Sequence, residues 1–241
     1  PFDNMPFNQS PSGHNPRQSA LFECIPCYDR KPELFARFIR NNTVGKGQLF
    51  TDISELSNYP DYESLIKKYN DSLWDGHRPA SDLILEHNQV FINDYKLDTC
   101  TVIEKLQELA EIGIENYSDD FDTWYILGDY VIDCDEKRDI ISRIFSESRV
   151  GAIYGSAGVG KSTLINHVSH YLNDAEKLYL TQTNPAKENL MSKIDAENTT
   201  FSTIESFKHQ GSPLAKYKLL VIDECSTVSN KDMVEVLQKA N

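Results

Sequence analysis

The chain changes its hydrophobic rhythm part-way along. Before residue 150 the apolar positions recur at helical spacing. "PELFARFIRN" places Leu34, Phe35, Phe38 and Ile39 on one face, and "DYESLIKKYNDSLW" repeats the pattern. "VIEKLQELAEIGIEN" lines up Ile103, Leu106 and Ala110, with Gly113 weakening its end, and "DEKRDIISRIF" predicts a further short helix. "FDTWYILGDYVI" fits a buried helix or a strand. These stripes are expected to be core.

From Val150 onward short apolar runs alternate with amphipathic stretches. Val150–Tyr154, Lys177–Thr181 and "LLVID" at Leu219–Asp223 predict strands, the last a continuous apolar run suited to burial on both faces. Between them, Lys161–Leu172 spaces Leu164, Val168 and Leu172 four apart. Asn184 before Pro185 predicts a helix start, Ser202 with Glu205 a capping box, and Met233, Val236, Leu237 and Ala240 stripe a last helix. Strand–helix alternation predicts a parallel sheet with helices packed on it. The expected class is therefore α/β, with residues 150–241 as a parallel sheet carrying helices and residues 1–149 as a mainly helical N-terminal region.

Charge supports the same division. The chain has a net charge of −13, and 27 of its 37 acidic residues but 15 of its 24 basic ones lie in residues 1–150. An acidic half joined to a near-neutral one suggests two units and leaves a solvated surface or a basic protein partner for residues 1–149. No apolar run is long enough to span a membrane, and no signal-peptide pattern opens the chain, so a cytoplasmic protein with no membrane partner is expected. Five cysteines make no disulfide framework. Cys24 and Cys27 form a C-x-x-C pair with only His14 close by, and reduced thiols are the expected state over zinc.

The candidate chemistry sits at "YGSAGVGKST". Gly155, Ser156, Ala157, Gly158, Val159, Gly160, Lys161, Ser162 and Thr163 contain the pattern G-x-x-x-x-G-K-[ST]. Glycines there let backbone N–H groups converge on a phosphate, and the following helix turns its positive end to the same anion. Lys161 is expected at the outer phosphates and the Ser162 hydroxyl at Mg2+, with ATP as the nucleotide. Asp223 closes an apolar run and is the second expected Mg2+ ligand, while Glu224 is placed to polarise an attacking water.

"GSAGVGKST", "LTQTNPAKENL", "FSTIESF" and "LLVIDECSTVS" occur in the order of motifs I, Ia, Ib and II of superfamily 1 DNA helicases, and most resemble the RecD-like branch. The resemblance spans Val150 to the end of the given sequence and implies the first RecA-like motor lobe of an ATP hydrolase that moves along single-stranded DNA, or RNA. It implies strand contacts at Thr183, Asn184 and Pro185 in motif Ia, and at Thr203 and Ser206 in motif Ib. Two departures stand out. Lys137 and Arg138 occupy the region where such helicases usually carry an adenine-reading glutamine, and motifs III to VI are not within the sequence. No arginine follows Arg149, so this stretch alone is expected to turn ATP over slowly. Alternatives are a nucleotide-gated protein-interaction module or a P-loop ATPase that is not a helicase. A GTPase is disfavoured, because Asp223 is followed by Glu-Cys-Ser and not by a D-x-x-G pattern.

Overall fold

The computed structural model describes residues 30–156, 158–209 and 216–239. Ala157 of the loop, Ala240 of the last helix's apolar stripe and the Cys24–Cys27 pair with His14 lie outside the described residues. The chain divides into two compact units, 1–98 and 99–241. The boundary falls inside a helix, well before the change of rhythm at residue 150.

In the first unit, α1 (Lys31–Lys46) and α2 (Tyr62–Ser72) pack on a three-stranded antiparallel sheet of β1 (Thr51–Asp52), β2 (Leu83–Glu86) and β3 (Gln89–Ile92), in the order β1-β3-β2. The helical stripes do become core: Phe35 and Ile39 of α1 and Leu65 and Tyr69 of α2 are buried with Leu56, Leu83 and Val90. The sheet was not foreseen. Its hairpin pairs Glu86 with Gln89 and turns through His87 and Asn88, at φ of 50° and 62°. Left-handed residues at both turn positions match the right-handed twist of the strands. Asn70 fastens α2 to this sheet, donating to the Leu83 carbonyl and accepting from its N–H, both at 2.9 Å. The next helix, α3 (Asn93–Ala110), runs across the unit boundary. It buries no residue completely and leaves Ile103 half exposed, so its apolar stripe is not the core that the spacing predicts.

The second unit holds a parallel sheet of β4 (Lys177–Thr181), β5 (Thr199–Thr203) and β6 (Leu219–Ile222), in the order β5-β4-β6. Side chains alternate across it. Leu178, Leu180, Leu220 and Ile222 face α8 (Ile204–His209) and α9 (Asn230–Lys239), in a cluster with Phe207 and Val236. Tyr179 points the other way, with Leu190 of α7 (Asn184–Met191) and Ile165 of α6 (Lys161–Tyr171). A parallel sheet covered on both faces is the α/β arrangement expected, that of an incomplete RecA-like P-loop fold following a mainly helical region. α4 (Tyr117–Leu127) and α5 (Asp135–Ile141) also belong here: Phe121, Ile132 and Ile141 pack with Leu164, Val168 and Leu219.

Three local expectations are corrected. Val150–Tyr154 forms no strand, because the Ser148 hydroxyl takes the Val150 N–H and donates to the Val150 carbonyl, each at 2.9 Å, spending groups a ladder would use. α7 begins one residue early, with Thr183 as its N-cap, accepting from the Ala186 N–H. Ser202 lies in β5 and caps nothing; Thr203 instead accepts from the Ser206 N–H at 3.2 Å.

Candidate nucleotide site

The loop owes its shape to glycine. Gly158 and Gly160 sit at φ of +82° and +87°, and Gly155 at +155°, angles that side-chain-bearing residues rarely adopt. Gly160 is also the N-cap of α6. No side chain caps this end and no acid stands in its first turn, so the helix presents its positive pole to whatever the loop holds. Among the predicted contacts, Lys161 stands ready but turned inward. Its ammonium donates to the carbonyls of Gly155 and Ser156, both at 2.8 Å, neutral partners that an anion can replace. Ser162 is half-buried in the first turn, while Thr163 and Val159 are exposed.

The other predicted residues come together through strand direction. β4, β5 and β6 are parallel and in register, Thr181 opposite Thr203 and Leu180 opposite Ile222, so their C-terminal ends form one edge. Asp223 follows β6, Thr183 and Asn184 follow β4, and Thr203 ends β5. In open α/β sheets, ligands bind outside that carboxyl edge. The Asp223 N–H donates to the Leu180 carbonyl at 2.9 Å, fixing the turn from which its half-buried side chain leaves. Glu224 is exposed and held at φ +50°, a conformation that costs a non-glycine residue about 1–2 kcal/mol. The turn behind it is secured by the Thr227 N–H and hydroxyl, both donating to the Glu224 carbonyl at 2.9 Å. Strain held in place by surrounding bonds at a candidate catalytic acid is the pattern of a functional site.

Ser162 and Asp223 offer a hydroxyl and a carboxylate, the hard oxygen donors that suit Mg2+. When bound there, the ion would neutralise phosphate charge. Among the described residues no cluster of His, Cys, Asp or Glu is arranged as a self-sufficient metal site, and Cys100, Cys134 and Cys225 are free thiols. No described helix is long and apolar enough to cross a membrane. The strand-contact candidates have local work as well: the hydroxyls of Thr183 and Thr203 both act as helix caps.

Sequence reasoning missed a chain of contacts along α6. His167, buried in α6, meets the Tyr130 hydroxyl at 2.9 Å through Nδ1 and the Asp133 carboxylate at 3.0 Å through Nε2. Asp133 also pairs with Lys137 of α5. Burial pushes the Tyr130 phenol up to about 12, so it remains a donor, and a ring protonated at Nε2 satisfies both neighbours. Lys137, then His167, holds the Asp133 carboxyl below the usual range. Only Lys137 carried a signal in the sequence, as a cation where the resemblance implies glutamine.

Residues 135–241 match the family model of an AAA domain, which therefore begins at α5. No curated protein matches the chain. The glycine loop, its lysine and the acids after β6 all lie inside this matched stretch, so the residues of a P-loop nucleotide site fall within the part of the chain that is similar to an AAA domain.

Proposed function

We propose that residues 150–241 are the ATP-binding first motor lobe of a superfamily 1, RecD-like DNA helicase, coupling ATP hydrolysis to movement along single-stranded DNA. The observation that carries this reading is the shared sheet edge: the stretches resembling motifs Ia, Ib and II all emerge at the carboxyl ends of parallel β4, β5 and β6. In this reading Lys161 binds the outer phosphates, Ser162 and Asp223 hold Mg2+, and Glu224 accepts the proton of the attacking water. Thr183, Asn184 and Thr203 meet the strand's phosphates through hydroxyl, amide and helix-start N–H groups, which grip a backbone without reading bases.

A P-loop ATPase that is not a helicase has one observation in its favour, since the hydroxyls of Thr183 and Thr203 are used as caps. Anisotropy of labelled oligo-dT and oligo-rU, with and without a non-hydrolysable ATP analogue, separates the two. The helicase reading expects nucleotide-dependent binding of single strands, weakened several-fold by Asn184→Ala. No binding of either strand, or binding indifferent to Asn184→Ala, contradicts it. In a protein that joins this lobe to a second motor lobe, Glu224→Gln should retain ATP binding and lose phosphate release; normal release would move the base elsewhere.

A further inference from the structure

Lys137 stands against the phosphate loop from outside it. A Cβ built on Gly160 would lie 3.2 Å from the Lys137 Nζ and 3.3 Å from its Cε, so this ammonium touches the residue that opens α6. Its carboxylate partner among the described residues, Asp133, is half-exposed, whereas the Lys137 side chain is largely covered. Asp133 cannot follow Lys137 freely, because its other oxygen is bound by His167. His167 is in turn held by Tyr130. Arg138, the neighbouring cation, is engaged elsewhere, with Asp135 and Asp139 of its own helix. Within residues 155–163 the sequence supplies a single cation, Lys161, for a ligand bearing several negative charges.

Resting on the P-loop reading, we infer that Lys137 is a second cation of the phosphate site, parked on Asp133 and transferred to the nucleotide's phosphates when they enter the loop. With its carboxylate half exposed, this ion pair is partly screened by water and costs little to break, while the phosphates offer a more highly charged partner beside the positive end of α6. The glycine at 160 is then required twice, for its left-handed backbone and for the room that the lysine stem occupies. Because Asp133 stays anchored to α6, it acts as a competitor that the nucleotide displaces, and its removal should favour binding.

Titration of the full chain with a fluorescent ATP analogue and Mg2+, then with ADP and AMP as competitors, tests this. Lys137→Met should weaken ATP about tenfold, the usual value of a lost charged hydrogen bond, with the loss shrinking from ATP to ADP to AMP. Lys137→Arg should restore most of the affinity. Asp133→Asn should tighten ATP by about threefold, since Lys137 is no longer competed for while an amide can still bond His167. A lysine that merely props up the loop predicts the opposite sign at Asp133. Unchanged ATP affinity in Lys137→Met, or unchanged or weaker affinity in Asp133→Asn, overturns the inference. Unchanged affinity in Lys161→Ala overturns both the inference and the P-loop reading beneath it, whereas loss at Lys161 with none at Lys137 overturns the inference alone.

Discussion

The two units hold sheets of opposite kinds, and the difference separates what is built by neighbours from what is built for chemistry. In residues 31–92 the sheet is antiparallel, its strands closed by a two-residue turn, and its core is filled from the two adjoining helices. In residues 99–241 the strands are parallel, each reached through a helix, and every predicted site residue that is described sits at or just past a strand end, on the loop before α6 or in the first turn of a helix. A hairpin needs only its turn and its alternation. A parallel sheet requires crossovers, and in return lines up several chain segments at one edge, where an acid, a hydroxyl and a helix start can share a ligand.

Substitutions can break this comparison at different depths. The largest effect is expected from Phe35→Ala, which removes a fully buried ring from the first unit's core and should cost about 4 kcal/mol in urea unfolding. If the phosphate site belongs to the second unit, Mg2+–ATP should still bind that variant in the absence of urea.

Next is Lys177, the fully buried first residue of β4, whose ammonium donates to the carbonyls of Leu172, Asn173 and Ala175 at 2.7–3.2 Å. It ties off the end of α6, and burial pushes its pKa down. Lys177→Met should cost about 2–3 kcal/mol, because three half-buried carbonyls lose their charged donor, and should lower the unfolding midpoint of the nucleotide-bound protein. An unchanged midpoint would mean that α6 does not depend on this tie. In the first unit, His87→Val places a β-branched residue at φ +50° and should cost about 1 kcal/mol without altering nucleotide affinity.

The smallest effects come from exposed carboxylates. Lys137 and His167 depress Asp133, Asn166 and His170 depress Asp195, and His209 and Lys208 depress Glu205. Groups with lowered folded pKa values stabilise above the unfolded value and lose that contribution as pH falls through the folded one. Urea midpoints should therefore hold steady between pH 7 and 5 and decline below about pH 4. A decline beginning near pH 6 would point to groups other than these acids.

What could be read in the sequence followed from how local the constraint was. Gly155, Gly158 and Gly160 announce the loop because glycine is the residue that tolerates those angles. Leu219–Ile222 announces a strand by its continuous apolar run. The antiparallel sheet escaped because β1 has two residues, and because the turn His87–Asn88 lacks the glycine that usually flags such hairpins. The cap at Thr203 was assigned to Ser202 because a one-residue shift preserves almost the same pattern. Apart from Lys137, the chain of contacts from Tyr130 to Lys137 could not be read, since it runs through His167, some thirty residues further on. Only the fold brings those groups to one side of α6.

The central claim is that the loop from Gly155 to Thr163 holds the phosphates of ATP, with Lys161 turned from its two carbonyls onto them. Isothermal titration of Mg2+–ATP into the full chain and into Lys161→Ala tests it most directly. Saturable binding that weakens by more than about tenfold in the variant, as loss of a charged hydrogen bond requires, is the predicted result. Equal affinity in the two proteins would contradict the account.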